Sequence, residues 1–497
     1  MPASILILLD EPIAPINPHL HGHFAEHLGT CISDGLWVGP DSLIPNIGGL
    51  RTDVVEALRR LRVPVLRWPG GCFADDYHWR DGVGPRHQRP RTVNLWWGQC
   101  VEDNGFGTHE FLNLCRLIGA EPYLAGNLGS APPSELRDWV EYCNYDKDST
   151  LAKLRAANGS PTPFGVRYWG VGNEAWGCGG NLCPEDYAAH YKRYATFCRD
   201  LGGTPLYLIA CGPDGARTAD FHLDWTRRFF NKLGSFDRIH GFAAHYYCGT
   251  AGNATEYDVN QWYELIDRAT RVERLIVSHR AAMDEFDPQR RIGLVLDEWG
   301  TWHPPTQGCS TLWQQNTIRD ALVAAVSLNA FHRQADKLVM ANLSQVVNVL
   351  QSVCLTRGDR MVLTPTYHIF EMYQPHQGAT TVRTIVESPT MTFAANNESR
   401  RKPALDASAS TRAGHVTISV ANVHAQLPVD ATIAFRAGTP NGEAKVTTLV
   451  ADDITAHNTF DEPDAVRPTH STITTSSQTL RHTFPPASVT TIRARMM

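Results

Sequence analysis

Short apolar runs recur along the first three-quarters of the chain, each followed by a polar or glycine-containing loop and then by a segment whose apolar positions have helical spacing. In order they are HLHGHF, VPVLRW, EPYLAGN, VRYWGVGNE, PLYLIACG, IHGFAAHYY, RIGLVLDEW and DKLVMANLS. The segments between them predict amphipathic helices, among them 52–62 (TDVVEALRRLR), 108–119 (THEFLNLCRLIG) and 184–201 (PEDYAAHYKRYATFCRDL). Parallel strands need crossover helices. Eight such units therefore predict an α/β fold, a (β/α)8 TIM barrel with enlarged loops, over residues 16–375.

After TPTYHIFEMYQPHQG the helical periodicity stops. Thr/Val/Ser-rich runs such as TRAGHVTISVANV and ASVTTIRARM follow, separated by Gly, Pro, Asn and Asp turns, and they predict a C-terminal antiparallel β-sandwich, jelly-roll-like, over 376–497. The opening ASILILL is strand-like and precedes the first barrel unit. Residues 1–15 are thus expected to complete the sandwich as an edge strand.

Composition narrows the function classes. The 497 residues are 42% hydrophobic and 19% charged, and 45 Lys+Arg against 51 Asp+Glu leave a net charge of -6 with no long basic run. Such a surface does not suit nucleic acid. No basic residue precedes the first apolar run, Asp10 and Glu11 follow it at once, and no stretch reaches the ~18 apolar residues of a membrane span. A cytoplasmic protein is expected, with no membrane partner and no cofactor. The twelve cysteines, scattered from Cys31 to Cys354 without a C-x-x-C pair, then read as reduced.

In a barrel of this type the site lies at the carboxyl ends of the strands. The polar residues there are Glu26, Arg67 (beside Trp68), Asn127, Asn173, Glu174, His245, Tyr247, Asp297 and Glu298. Glu174 and Glu298 each end an apolar run, where a carboxylate is costly unless paired or functional. Two carboxylates across a cleft are what glycoside hydrolysis requires. Trp68, Trp97, Trp176, Trp299 and Trp302 near the strand ends suit stacking on sugars or plain core packing. The stretch HLHGHFAEH, with His19, His21, His23 and His27 around Glu26, also invites a metal reading. A metal hydrolase would add a Lys after strand four and a His after strand five, where this chain has Glu174 and IACGPDG.

The motifs GHFAEHLG, LRWPGGCFADDYHWRDGVGPR, YWGVGNEAWGCGGN, HYY, LDEWGTW and VNVLQ resemble those of the α-L-arabinofuranosidases of glycoside hydrolase family 51. The resemblance implies Glu174 as acid/base and Glu298 as nucleophile of a retaining, exo-acting enzyme on arabinofuranosyl oligo- or polysaccharides. It implies Asn173 on the sugar 2-hydroxyl and Glu26 on other hydroxyls. Arg67 and Tyr247 would hold the nucleophile ionised, with His245 behind. The backbone near Cys72 and the side chain of Gln351 would close the pocket, and Trp97 and Trp302 would border the leaving group. HLHGHFAEH then reads as one sugar-binding carboxylate among packed histidines, with no metal. A homo-oligomer, often a hexamer, is also implied.

Neighbouring specificities (β-xylosidase, galactofuranosidase, endoglucanase) and a non-catalytic carbohydrate-binding protein stay as alternatives. Pro132–Pro133 and the segment PDGARTADFH depart from the family pattern and leave the leaving-group preference open. Cys72 and Cys178 lie in two pocket-forming motifs close enough to approach each other, and they are expected as free thiols in a cytoplasmic protein, with oxidation of the pair on storage as the alternative.

Overall fold

A computed structural model describes residues 3–249, 251–309, 311–395 and 398–497. The eight apolar runs become eight parallel strands, Gly22–Phe24, Val65–Trp68, Glu121–Gly126, Tyr168–Val171, Tyr207–Ala210, Gly241–Tyr247, Gly293–Gly300 and Leu338–Ser344, which close into a barrel in chain order. Their continuous apolar character has a simple cause: both faces are covered. Val65, Tyr123, Tyr168, Ile209, Ala243, Val295 and Met340 pack together as one buried cluster, one residue from each of strands two to eight. The outer face is covered by helices such as Thr52–Leu61, which buries Val54, Val55, Ala57, Leu58 and Leu61.

The predicted helices end close to expectation, except that the helix predicted to reach 201 runs Pro184–Phe197. Cys198 is extended there, and Arg238 donates to the carbonyls of Ala195 and Cys198, which satisfies the last turn from outside the helix.

The C-terminal region forms a nine-stranded sheet. The strand Ala3–Pro15 belongs to it but is interior, not an edge: it pairs antiparallel with Thr380–Glu387 and parallel with Val429–Arg436. Residues 1 and 2 lie outside the described residues. Both partners lie hundreds of residues away along the chain, so no hairpin turn sets the direction of pairing, and the otherwise antiparallel sheet carries this one parallel pair.

Barrel and sheet are joined by buried and half-buried polar groups. Trp262 donates its indole N–H to Val423 O at 3.0 Å, and Arg333 bridges Glu273 and Asp406. His21 and His332 share a ring-nitrogen contact at 3.0 Å, His332 also meets Ser408, and His376 meets Ser410 and Ser419. Burial pushes His21 and His376 down to about 3 and His332 well below its ordinary value. These histidines are neutral when folded and take up protons on unfolding. Their stabilisation is complete above about 6.5 and is lost as pH falls toward about 3, at up to about 1.4 kcal/mol per group per pH unit. The urea midpoint should fall between pH 6.5 and 4, less steeply in His376→Gln; an unchanged slope in that variant would remove His376 from this account.

Candidate active site

Glu298 is the sixth residue of the seventh barrel strand, and two hydrogen-bond donors and an imidazole converge on its carboxylate. Arg67 Nη1 from the second strand donates to Oε1 at 2.7 Å, Tyr247 OH from the sixth donates to Oε2 at 2.7 Å, and His245 Nδ1 lies 3.6 Å from Oε2. Burial acts to raise its pKa, but His245, Arg67 and Tyr247 outweigh it and hold Glu298 below the usual range. Arg67 is itself fixed: its Nη2 donates to Asn173 Oδ1 at 2.7 Å, and its guanidinium lies over the Phe24 ring.

Glu174 follows the fourth strand, at φ +37°, a conformation that costs a side-chain-bearing residue of order 1 kcal/mol and is held by its surroundings. Gly177 and Gly179 both donate to its carbonyl, and the N–H of the preceding Asn173 is held by Asp75 Oδ2 at 2.8 Å. Burial raises the Glu174 carboxyl, and the nearby Glu298 charge adds to this against the hydrogen bond with His245. His245 Nδ1 sits 2.9 Å from Glu174 Oε1, so this imidazole touches both carboxylates. Burial opposes its charge, but Glu298 and Glu174 prevail and lift it to about 8. An oxygen of Glu174, an oxygen of Glu298 and a His245 nitrogen all lie within 4.8 Å of one another.

Between these groups lies a small pocket of about 290 Å3 of empty space, mouth included, lined by Glu26, Leu28, Cys72, Trp97, Asn173, Glu174, Tyr247, Glu298, Trp302, Gln345 and Leu350. Arg67 and His245 stand buried behind the carboxylates. Glu26 accepts from Gly71 N, Phe73 N, Trp97 Nε1 and Gln345 Nε2 at 2.9 to 3.1 Å. Burial and the Glu298 charge lift Glu26 to about 7 despite those bonds. The Gly70–Gly71 backbone passes between the acids so closely that a Cβ at Gly71 would meet Glu298 Oε1 at 2.6 Å.

Several expectations are corrected here. The Gln351 side chain does not close the pocket: it is fully buried, accepting from Thr301 N and donating to Asp320 O. Gln345 holds that place, and it directly follows the eighth strand, so the strand-end rule applied there would have found it. Cys72 and Cys178 are not free thiols but a disulfide joining the loops after strands two and four. Spatial convergence of those loops brings the sulfurs together, which location alone does not address.

Trp68 and Trp299 are core residues, packed on Phe111 and Phe331, and Trp176 donates to Gly212 O. Asn127 is spent on Tyr77 O and Ser130. Pro132 and Pro133 start the helix Pro133–Asn144. In the segment PDGARTADFH, Pro213 O and Gly215 N bind the backbone of His245. The four N-terminal histidines diverge: His27 meets Glu102, His21 meets His332, His23 packs on Phe370 and His19 on Tyr168.

Asp75 was not signalled by the sequence. Its buried carboxylate accepts from Leu128 N, Gly129 N and Asn173 N, tying the loops of strands three and four, and burial lifts it to about 7 against those bonds.

The chain is similar to known proteins along nearly its whole length. Residues 57–233 match the α-L-arabinofuranosidase 1 domain and residues 297–488 the α-L-arabinofuranosidase C-terminal domain. The chain is 45% identical to an intracellular exo-α-L-arabinofuranosidase of Bacteroides ovatus, over 94% of this chain and 90% of that protein. It superposes with TM-score 0.94 on the family 51 arabinofuranosidase of Xanthomonas axonopodis pv. citri, at 39% identity and covering 99% and 100% of the two chains. The Thermotoga maritima α-L-arabinofuranosidase, solved as an arabinose complex, superposes with TM-score 0.88 at 33% identity, covering 99% and 100%. On these matches along nearly its whole length, the chain belongs to the α-L-arabinofuranosidases of glycoside hydrolase family 51.

Proposed function

We propose that the protein is a retaining, exo-acting α-L-arabinofuranosidase that removes terminal arabinofuranosyl residues from oligo- or polysaccharides. The observation that carries the reading is the pair Glu174 and Glu298, with oxygens within 4.8 Å and with carboxyl pKa values displaced in opposite directions. Carboxyl groups about 5 to 5.5 Å apart leave no room for a water between nucleophile and sugar, so double displacement is favoured over inversion.

In the first step Glu298 attacks the anomeric carbon, and the C–O bond to the leaving group breaks as Glu174 gives that oxygen its proton. In the second, Glu174 takes a proton from water, whose oxygen displaces Glu298. Arg67 and Tyr247 keep Glu298 ionised and able to leave again. Asn173 has its Oδ1 held by Arg67, which leaves Nδ2 to donate to the sugar 2-hydroxyl. Glu26 and Gln345 receive other hydroxyls, while Trp97 and Trp302 flank the leaving group.

The names of the Bacteroides and Thermotoga relatives support arabinose as the sugar, and the first also supports an intracellular location. Among the described residues no helix is long and apolar enough to cross a membrane. Hydrolysis of aryl α-L-arabinofuranoside, followed by NMR, should give the α-anomer first and exceed the rate on xylosyl, galactofuranosyl and glucosyl analogues. First formation of the β-anomer would discard the retaining mechanism, and a faster xyloside would move the specificity to the neighbouring class.

A further inference from the structure

The bridge between Cys72 and Cys178 takes no part in the reaction, yet both sulfurs lie against the group assigned as acid/base. Cys178 Sγ is 3.6 Å and Cys72 Sγ 3.9 Å from Glu174 Oε2, while the other carboxylate oxygen is held by His245. Both cysteines are partly exposed, and Cys72 lines the pocket, so a small reductant can approach from the substrate side.

We propose that, once this bridge is reduced, Cys72, Cys178 and Glu174 form a binding site for a thiophilic divalent cation such as Zn2+ or Cd2+, and that filling it switches off hydrolysis. Two thiolates and a carboxylate are a donor set such ions favour. In a tetrahedral zinc site with Zn–S near 2.3 Å and Zn–O near 2.0 Å, sulfur and oxygen stand roughly 3.5 Å apart, close to the separations already present. The two sulfurs must part to roughly 3.8 Å. Their Cα atoms, 5.4 Å apart, allow this by side-chain rotation. The fourth position faces the pocket.

The chemistry balances with a dithiol as reductant. The dithiol supplies two electrons and two protons, becomes a cyclic disulfide, and leaves Cys72 and Cys178 as thiols. The cation then displaces both thiol protons and the proton on Glu174. With Oε2 bound to metal, Glu174 has no proton to give the leaving oxygen. The inhibition rests on Glu174 being the acid/base; the cation site does not.

The test compares oxidised protein with protein reduced by dithiothreitol and desalted without air, each titrated with Cd2+. The reduced protein should take up one more equivalent than the oxidised protein, with ultraviolet thiolate-to-cadmium absorbance. The exposed Cys100, Cys183 and Cys309 are common to both samples and cancel in the difference. Hydrolysis of a substrate with a poor leaving group should fall about a hundredfold on cadmium addition and return with a chelator. Cys178→Ser should lack the extra absorbance. Equal uptake by both forms, or extra uptake without the thiolate band, overturns the site. Uptake with the band and undiminished hydrolysis upholds the site and overturns the acid/base role of Glu174.

Discussion

Glu298→Ala should lower hydrolysis by roughly 10^5-fold on good and poor leaving groups alike, because in the double displacement proposed above no glycosyl-enzyme can form without this carboxylate. The loss should be uniform since leaving-group protonation is untouched. Azide, small enough to occupy the vacated space, should restore part of the rate and give a glycosyl azide of inverted configuration. Folding should survive. The change leaves Arg67 bonded to Asn173 and close to Asp297. A residual rate that depends steeply on the leaving group would assign Glu298 the acid role instead.

Glu174→Ala should behave differently in kind. On substrates with poor leaving groups the rate should fall about 10^2 to 10^4-fold, while an activated aryl group that needs no proton should lose far less in the first step. Azide should then accelerate turnover and give a product of retained configuration, because Glu298 still forms the intermediate. The pH profile is a second readout. The acid must be protonated, so the rate on poor leaving groups falls as pH rises through the raised pKa of Glu174, and this alkaline limb should vanish in the variant. His245 lies 2.9 Å from Glu174 and 3.6 Å from Glu298, so the limb reports the three groups together. A variant that keeps the limb would separate it from Glu174.

Much of this site is legible from the chain because the barrel makes it so. When an apolar run of four to eight residues is a parallel strand covered on both faces, its polar carboxyl-terminal residue has one place to go, the barrel mouth. That logic reaches Glu26, Arg67, Asn173, Glu174, His245, Tyr247 and Glu298 without knowledge of any contact. It overreaches at Asn127 and Trp299, whose backbones lie at strand ends but whose side chains turn into loop and core.

By itself, then, the sequence determined the eight-fold alternation of strands and helices, the change of texture after the barrel, and the two carboxylates at the carboxyl ends of strands four and seven. Local periodicity is enough for these, since each element must bury its own apolar face. Tertiary structure alone decided that Gln345 and not Gln351 lines the pocket, that Cys72 meets Cys178, that Asp75 ties two loops, and that Ala3–Pro15 runs inside the sheet beside a strand more than four hundred residues away. Each of these depends on where a non-repeating loop or a distant strand comes to rest. Such placement follows from the packing of the whole chain, where side-chain direction and pairing partner are set by long-range contacts that no local spacing encodes.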